Sequence, residues 1–179
     1  MRRSALAPLV LVPVLAAATA HAQPPAPSPS PEIGPARGTL FIVGGGERDK
    51  PLLEKFVDLA GGPDAPIVAI PTALESDDPA IQSLEVSSLR GAGARRVTLL
   101  HTRDRKVADS EAFVAPIRTA SAVFFTGGRQ WRLADAYLDT RTHAELRALL
   151  ARGGVIGGTS AGATILGSFW PGATRRATR

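Results

Sequence analysis

This sequence predicts an α/β fold, a parallel sheet flanked by helices on each side. Two observations carry that prediction. Short runs that are largely apolar, rather than apolar only at alternate positions, recur at 39–45, 66–72, 96–101, 121–128 and 154–158, as in strands buried on both faces. The segments between them carry apolar residues at helical spacing, and strands alternating with helices assemble as parallel sheets. A chain of 179 residues suffices for one such domain with a real core.

The elements follow in order. TLFIVGG (39–45) reads as a first strand ending in glycine. Pro51 to Ala60 carries Leu52, Leu53, Phe56, Val57 and Leu59 as a helical stripe, opened by Asp49 as N-cap. PIVAIPT (66–72) is the second strand, and Pro79 to Leu89 follows with Ile81, Leu84 and Leu89 on a weaker helical face. RVTLLH (96–101) is the third strand; a helical or irregular link leads to SAVFFTGG (121–128), the fourth. Trp131 to Leu138 and His143 to Ala151 read as helices, and GVIGG (154–158) as the fifth strand. Ligands of such sheets bind beyond the carboxyl ends of the strands. The glycine clusters Gly44–Gly46, Gly127–Gly128 and Gly157–Gly158 fall there, as loops whose backbone must approach a ligand closely.

Outside this core, residues 1–22 read as a secretory signal: MRR, then ALAPLVLVPVLAAA, then the small-x-small site Ala20–Ala22. The apolar run is short for a membrane span and contains Pro8 and Pro13. Export to the periplasm or the exterior is expected, with no membrane attachment after cleavage. There is no cysteine, which excludes a lipoprotein anchor, disulfides and thiol catalysis. Residues 23–37 hold Pro24, Pro25, Pro27, Pro29, Pro31 and Pro35 and read as an extended linker. The folded part is expected over 38–169, and 170–179 as an aberrant tail. The net charge of +5 is terminal: without Arg2, Arg3, Arg175, Arg176 and Arg179, basic and acidic residues are equal in number. No nucleic-acid footprint remains.

Chemistry centres on VIGGTSAGATILGS (155–168), which contains G-x-S-x-G at Gly158, Ser160 and Gly162 between a strand and a helical pattern. That context suits a nucleophile elbow, with the Ser160 hydroxyl lifted from the sheet edge and the Ala161 amide aimed at a developing oxyanion. The competing reading is Ser160 as a helix cap. In FFTGGRQWRLADAY (124–137) the amides at Gly127–Gly128 supply a second oxyanion donor and Gln130 orients a polar substrate group; the plain alternative is a strand-to-helix turn with Trp131 and Leu133 packing. GGGERD (44–49) is a poor dinucleotide fingerprint, with Asp49 where glycine is needed and no acid after the second strand. No cofactor is implied. No metal is either, since His101 and His143 lack ligands at suitable spacing. His143 reads as an exposed or capping residue, and His101 as a plain loop histidine.

Together LFIVGGG, PIVAIPTA, FFTGGRQ and GGVIGGTSAGA, in this order across 38–168, resemble the serine-peptidase family of cyanophycinases and aspartyl dipeptidases. The resemblance implies a class I glutamine amidotransferase-like fold, here incomplete at the C-terminus. It implies Ser160 as nucleophile, Gly128 and Ala161 as oxyanion donors, and Gln130 as a residue shaping the pocket. It further implies hydrolysis of aspartyl peptide bonds, in cyanophycin or related peptides, so the expected partner is a peptide or an aspartyl polymer. Arg129 departs from the acid that cyanophycinases commonly carry before the glutamine, and a cation there alters how an arginine-bearing substrate is held.

The family's histidine and acid follow the serine, whereas nothing after Ser160 is His, Asp or Glu. A serine without a base is a weak nucleophile, so this chain is expected to be an inactive fragment. Back-translated with GC-rich codons, FWPGATRRAT with one C inserted after Phe169 reads FLARGDTAGN, which is similar to the family's continuation. The expectation is a frameshift or sequencing error after Phe169, and an early stop in the plus-one frame of the gene would overturn it. Ending after the fifth strand is also expected to leave a sheet edge open to homodimerisation. Two other functions fit parts of the pattern. One is a non-catalytic binding protein on the same fold. The other is an α/β-hydrolase esterase, which lacks here its upstream oxyanion loop.

Overall fold

The computed structural model describes residues 34–46 and 49–167. The signal at 1–22, the linker up to residue 33 and the tail at 170–179 lie outside the described residues. Five strands form one sheet: β1 (Thr39–Val43), β2 (Ile67–Ile70), β3 (Val97–Leu99), β4 (Ala122–Phe125) and β5 (Val155–Thr159). Their order is β1-β5-β4-β2-β3, and every pairing is parallel. The three central strands are buried at every position, whereas β1 and β3 at the edges are not. That is why the central runs are apolar without alternation.

Helices cover both faces. On one lie α1 (Lys50–Leu59) and α2 (Pro79–Gly91), which pack Phe56, Val57 and Leu89 against Ile67, Ala69 and Phe124. The alternate strand residues Val68, Ile70, Val123, Phe125 and Ile156 enter a second core. That core is closed by α3 (Arg105–Ala108), α4 (Glu111–Thr119), α5 (Gln130–Tyr137), α6 (Arg141–Ala151) and α7 (Ala161–Thr164). Asp49 caps α1 as expected, its carboxylate accepting the Leu52 amide at 3.2 Å. Asp78 does the same for α2 with the Ala80 amide at 2.8 Å.

Two expectations need correction. The buried face of α2 is Gln82, Val86 and Leu89, while Ile81 and Leu84 are 42% and 63% exposed. Gln82 can turn inward because its side-chain amide donates to the Ser76 carbonyl at 3.5 Å. Secondly, Gly157 and Gly158 lie within β5 rather than in a loop. Their role is packing: a Cβ on Gly157 would sit 2.7 Å from the Phe56 ring, which stacks edge-on to Phe124 at 5.0 Å.

The sheet order decides where the ends meet. Val43 pairs with Thr159 and Phe125 with Gly158, so the carboxyl ends of β1, β5 and β4 lie side by side. Gly44–Gly46, Ser160 and Gly127–Gly128 therefore leave the sheet together, although 115 residues separate Gly44 from Thr159.

Candidate active site

Ser160 stands at the turn between β5 and α7 with φ 51° and ψ −114°, a region that residues with a Cβ rarely enter. The two flanking glycines allow that turn to be tight. A Cβ on Gly158 would meet the Gly162 carbonyl oxygen at 2.2 Å, and one on Gly162 would meet the Phe125 carbonyl oxygen at 2.4 Å. The G-x-S-x-G spacing thus records strand and helix backbones in direct contact. The Ser160 amide donates to the Val43 carbonyl at 3.1 Å. The Thr159 hydroxyl donates to the Gly44 carbonyl at 3.2 Å, so the turn is tied to β1 on both sides of the serine. Ser160 is exposed and makes no side-chain cap bond, which sets aside the helix-cap reading. Among the described residues nothing bonds its hydroxyl.

The turn after β4 faces this serine. The Cβ position of Gly127 lies 3.5 Å from Ser160 Cβ and 4.0 Å from its Oγ. Gly128 has φ +135°, and a Cβ there would overlap the Ala73 carbonyl oxygen at 2.1 Å. The next amide, that of Arg129, donates to the same oxygen at 2.8 Å. Ala161 is buried directly after Ser160, and its amide takes no backbone acceptor among the described residues. Gln130 opens α5 half-buried and Arg129 is exposed; neither side chain bonds another described residue. Trp131 is 38% exposed, so of the two packing candidates only Leu133 is in the core.

His101 is not a plain loop histidine. Its Nδ1 lies 2.9 Å from the Thr72 hydroxyl and its Nε2 lies 3.0 Å from Asp77 Oδ1. The Thr72 hydroxyl also lies 2.5 Å from that of Tyr137, which accepts from the Thr102 amide at 3.4 Å. Burial pushes the Tyr137 phenol up to about 12, against the smaller opposing effect of those hydrogen bonds. Thr72 and His101 follow adjacent strands, but only the sheet order reveals that they meet. His143 accepts the Asp139 amide at 3.3 Å on its Nδ1. Neither histidine bonds Ser160, and no group of three metal-ligating side chains occurs among the described residues. An apolar groove of about 710 Å³, lined by Leu133, Leu146, Leu150, Ile165 and Leu166, runs between α5, α6 and the end of α7. Ser160 does not line it.

Comparison with known proteins matches residues 40–172 to the family model of Peptidase family S51. The chain is 35% identical to the cyanophycinase of Geminocystis herdmanii over 136 residues, which cover 73% of this chain and 49% of that protein. It is 36% identical to the cyanophycinase of Synechococcus elongatus over 135 residues, or 73% of this chain and 42% of that one. The chain therefore spans about half the length of these relatives. Among solved structures, a peptidase from an acI-B1 Actinobacterium superposes with a TM-score of 0.61 at 26% identity, covering 73% of this chain and 57% of that one.

Proposed function

The chain belongs to peptidase family S51, and from that premise we propose that it carries the nucleophile side of a serine-type peptidase site. In this reading Ser160 Oγ attacks the scissile carbonyl, and the amides of Gly128 and Ala161 receive the oxyanion. Gln130 and Arg129 hold polar or anionic groups of the substrate. The observation that carries the reading is the Ser160 turn, with its hydroxyl exposed and unbonded by any described residue, beside Gly127. The substrate class is an aspartyl peptide or polymer such as cyanophycin, by likeness to the cyanophycinases. Export through the segment 1–22 gives such an enzyme access to an external polymer.

The described residues supply no base to Ser160 in this proposal. None of them bonds the Ser160 hydroxyl, and residues 161–179 hold neither histidine nor acid. Loss of a triad partner costs several powers of ten in rate. The same observation favours a second reading, in which the pocket binds aspartyl peptides without cutting them.

Exogenous imidazole tests both halves of the proposal, because it supplies the missing base. A fluorophosphonate should label the chain slowly alone and faster as imidazole rises, with the adduct on Ser160 and absent from Ser160→Ala. Rapid labelling without imidazole would overturn the missing base. An adduct that never forms on Ser160 would overturn the nucleophile, and tight peptide binding without labelling would favour the binding protein.

A further inference from the structure

We propose that His101, with Thr72 and Asp77, is a positioning relay that holds the glycine turn facing Ser160. The inference rests on the reading of that turn as the oxyanion side of the site. It starts from a proton count. The Thr102 amide can only donate to the Tyr137 oxygen, so among the described residues the Tyr137 hydroxyl proton has Thr72 as its acceptor. The Thr72 hydroxyl then donates onward to His101 Nδ1, its other partner among the described residues. Nδ1 is therefore the bare nitrogen, and the Nε2–H donates to Asp77 Oδ1. Arg103 Nη2 holds the same carboxylate oxygen at 2.9 Å, while also donating to the Leu74 and Glu75 carbonyls at 2.8 and 3.1 Å. One arrangement of protons satisfies every group, and a break at Thr72 or Tyr137 leaves a buried donor or acceptor without a partner.

The relay reaches the site through one residue. Thr72 is wholly buried within the turn closed by the Leu74 amide on the Pro71 carbonyl at 2.8 Å. The adjoining Ala73 carbonyl accepts the Arg129 amide at 2.8 Å and Arg132 Nη1 at 3.3 Å. It also abuts Gly128 so closely that no side chain fits there. Fixing Thr72 from the side of β3 and α5 therefore fixes the Gly127–Arg129 turn, whose Gly127 faces Ser160 with room for a Cβ 3.5 Å from the serine's own. The relay is a set of positioning residues, since none of its members meets the serine.

The test uses the full chain and two readouts. A long-range 1H–15N spectrum should show His101 as the Nε2–H tautomer near neutral pH, and the opposite tautomer would overturn the proton order. Amide exchange of Arg129 should quicken by about tenfold or more in Thr72→Val, which keeps the shape but not the hydroxyl, and stay near wild type in Thr72→Ser. A role in space-filling alone would leave Thr72→Val protected and would sink the proposal. Should Thr72→Val fail to fold, His101→Gln, at the partly open end of the relay, must show the same quickening. Imidazole-driven labelling of Ser160 is read in parallel. Exchange that responds while Ser160 never labels refutes the peptidase reading and leaves the relay standing; exchange that does not respond refutes the relay whatever the label does.

Discussion

Two hydroxyls stand at the carboxyl edge of the same sheet, and their surroundings are opposite. Thr72, after β2, is wholly buried and bonded on both sides, to Tyr137 and to His101. Ser160, after β5, is exposed, unbonded at its hydroxyl by any described residue and held in a backbone conformation that costs on the order of 1–3 kcal/mol. A hydroxyl saturated with partners lowers the energy of one arrangement and fixes the backbone that carries it. A hydroxyl held open by a strained turn is available to a substrate, and its stability must come from the packing of its neighbours. Under the proposed reading, the serine that attacks and the residues that aim its pocket share an edge without sharing a chemical environment.

The sharpest way to break this contrast is to remove the packing that supports the strained turn. Gly158→Ala places a methyl group 2.2 Å from the Gly162 carbonyl oxygen and 2.8 Å from the Ala163 amide nitrogen, against backbone with no flexible side chain to yield. Denaturant unfolding should show a loss above about 4 kcal/mol, or no cooperative transition at all. Gly127→Ala is the matched control, because its Cβ would meet only Ser160 and Thr159 at 3.5 Å or more. It should cost under about 1 kcal/mol. Equal losses at the two positions would mean that the turn does not depend on the close contact of β5 with α7.

These contacts also mark how far the sequence alone could be read. The central strands β2, β4 and β5 were legible because they are buried on both faces and therefore lack polar alternation. The serine turn was legible because its requirements are local: Gly158, Ser160 and Gly162 lie within five residues of one another. The relay was not. Thr72 lies 29 residues from His101 and 65 from Tyr137, and their meeting depends on β2 pairing with β3 under α5. The face of α2 was misread for a similar reason, since the inward turn of Gln82 depends on the Ser76 carbonyl in the preceding loop. Periodicity counts Ile81 and Leu84 as core, but no partner waits for them there.

The saturated hydroxyl cluster has its own signature in alkaline solution. The Tyr137 phenol is raised from 10.0 to about 12 by burial, so the folded protein keeps its proton where the unfolded chain loses it. The stabilisation is complete below pH 10 and is lost as pH rises through 12, in total on the order of 2–3 kcal/mol. Stability measured by denaturant melts should fall across that window. Tyr137→Phe should lose this part of the slope, at a cost near neutral pH of about 1 kcal/mol from the broken hydrogen bond. An unchanged slope in Tyr137→Phe would show that Tyr137 is not the group responsible, and the closed cluster would lose its main energetic mark.

The smallest effect bears on the open hydroxyl. If φ 51° and ψ −114° at Ser160 are strained, glycine should relax them and alanine should not, since the strain arises from the Cβ. Glycine also loses more chain entropy on folding, by roughly 0.5–1 kcal/mol relative to alanine, which offsets part of the gain. The two effects together leave Ser160→Gly more stable than Ser160→Ala by about 1 kcal/mol in denaturant unfolding. Both variants lack the hydroxyl, so the difference between them reports the backbone alone. A Ser160→Ala protein as stable as Ser160→Gly would mean an unstrained turn, and the exposed serine would then differ from Thr72 only in its missing partners.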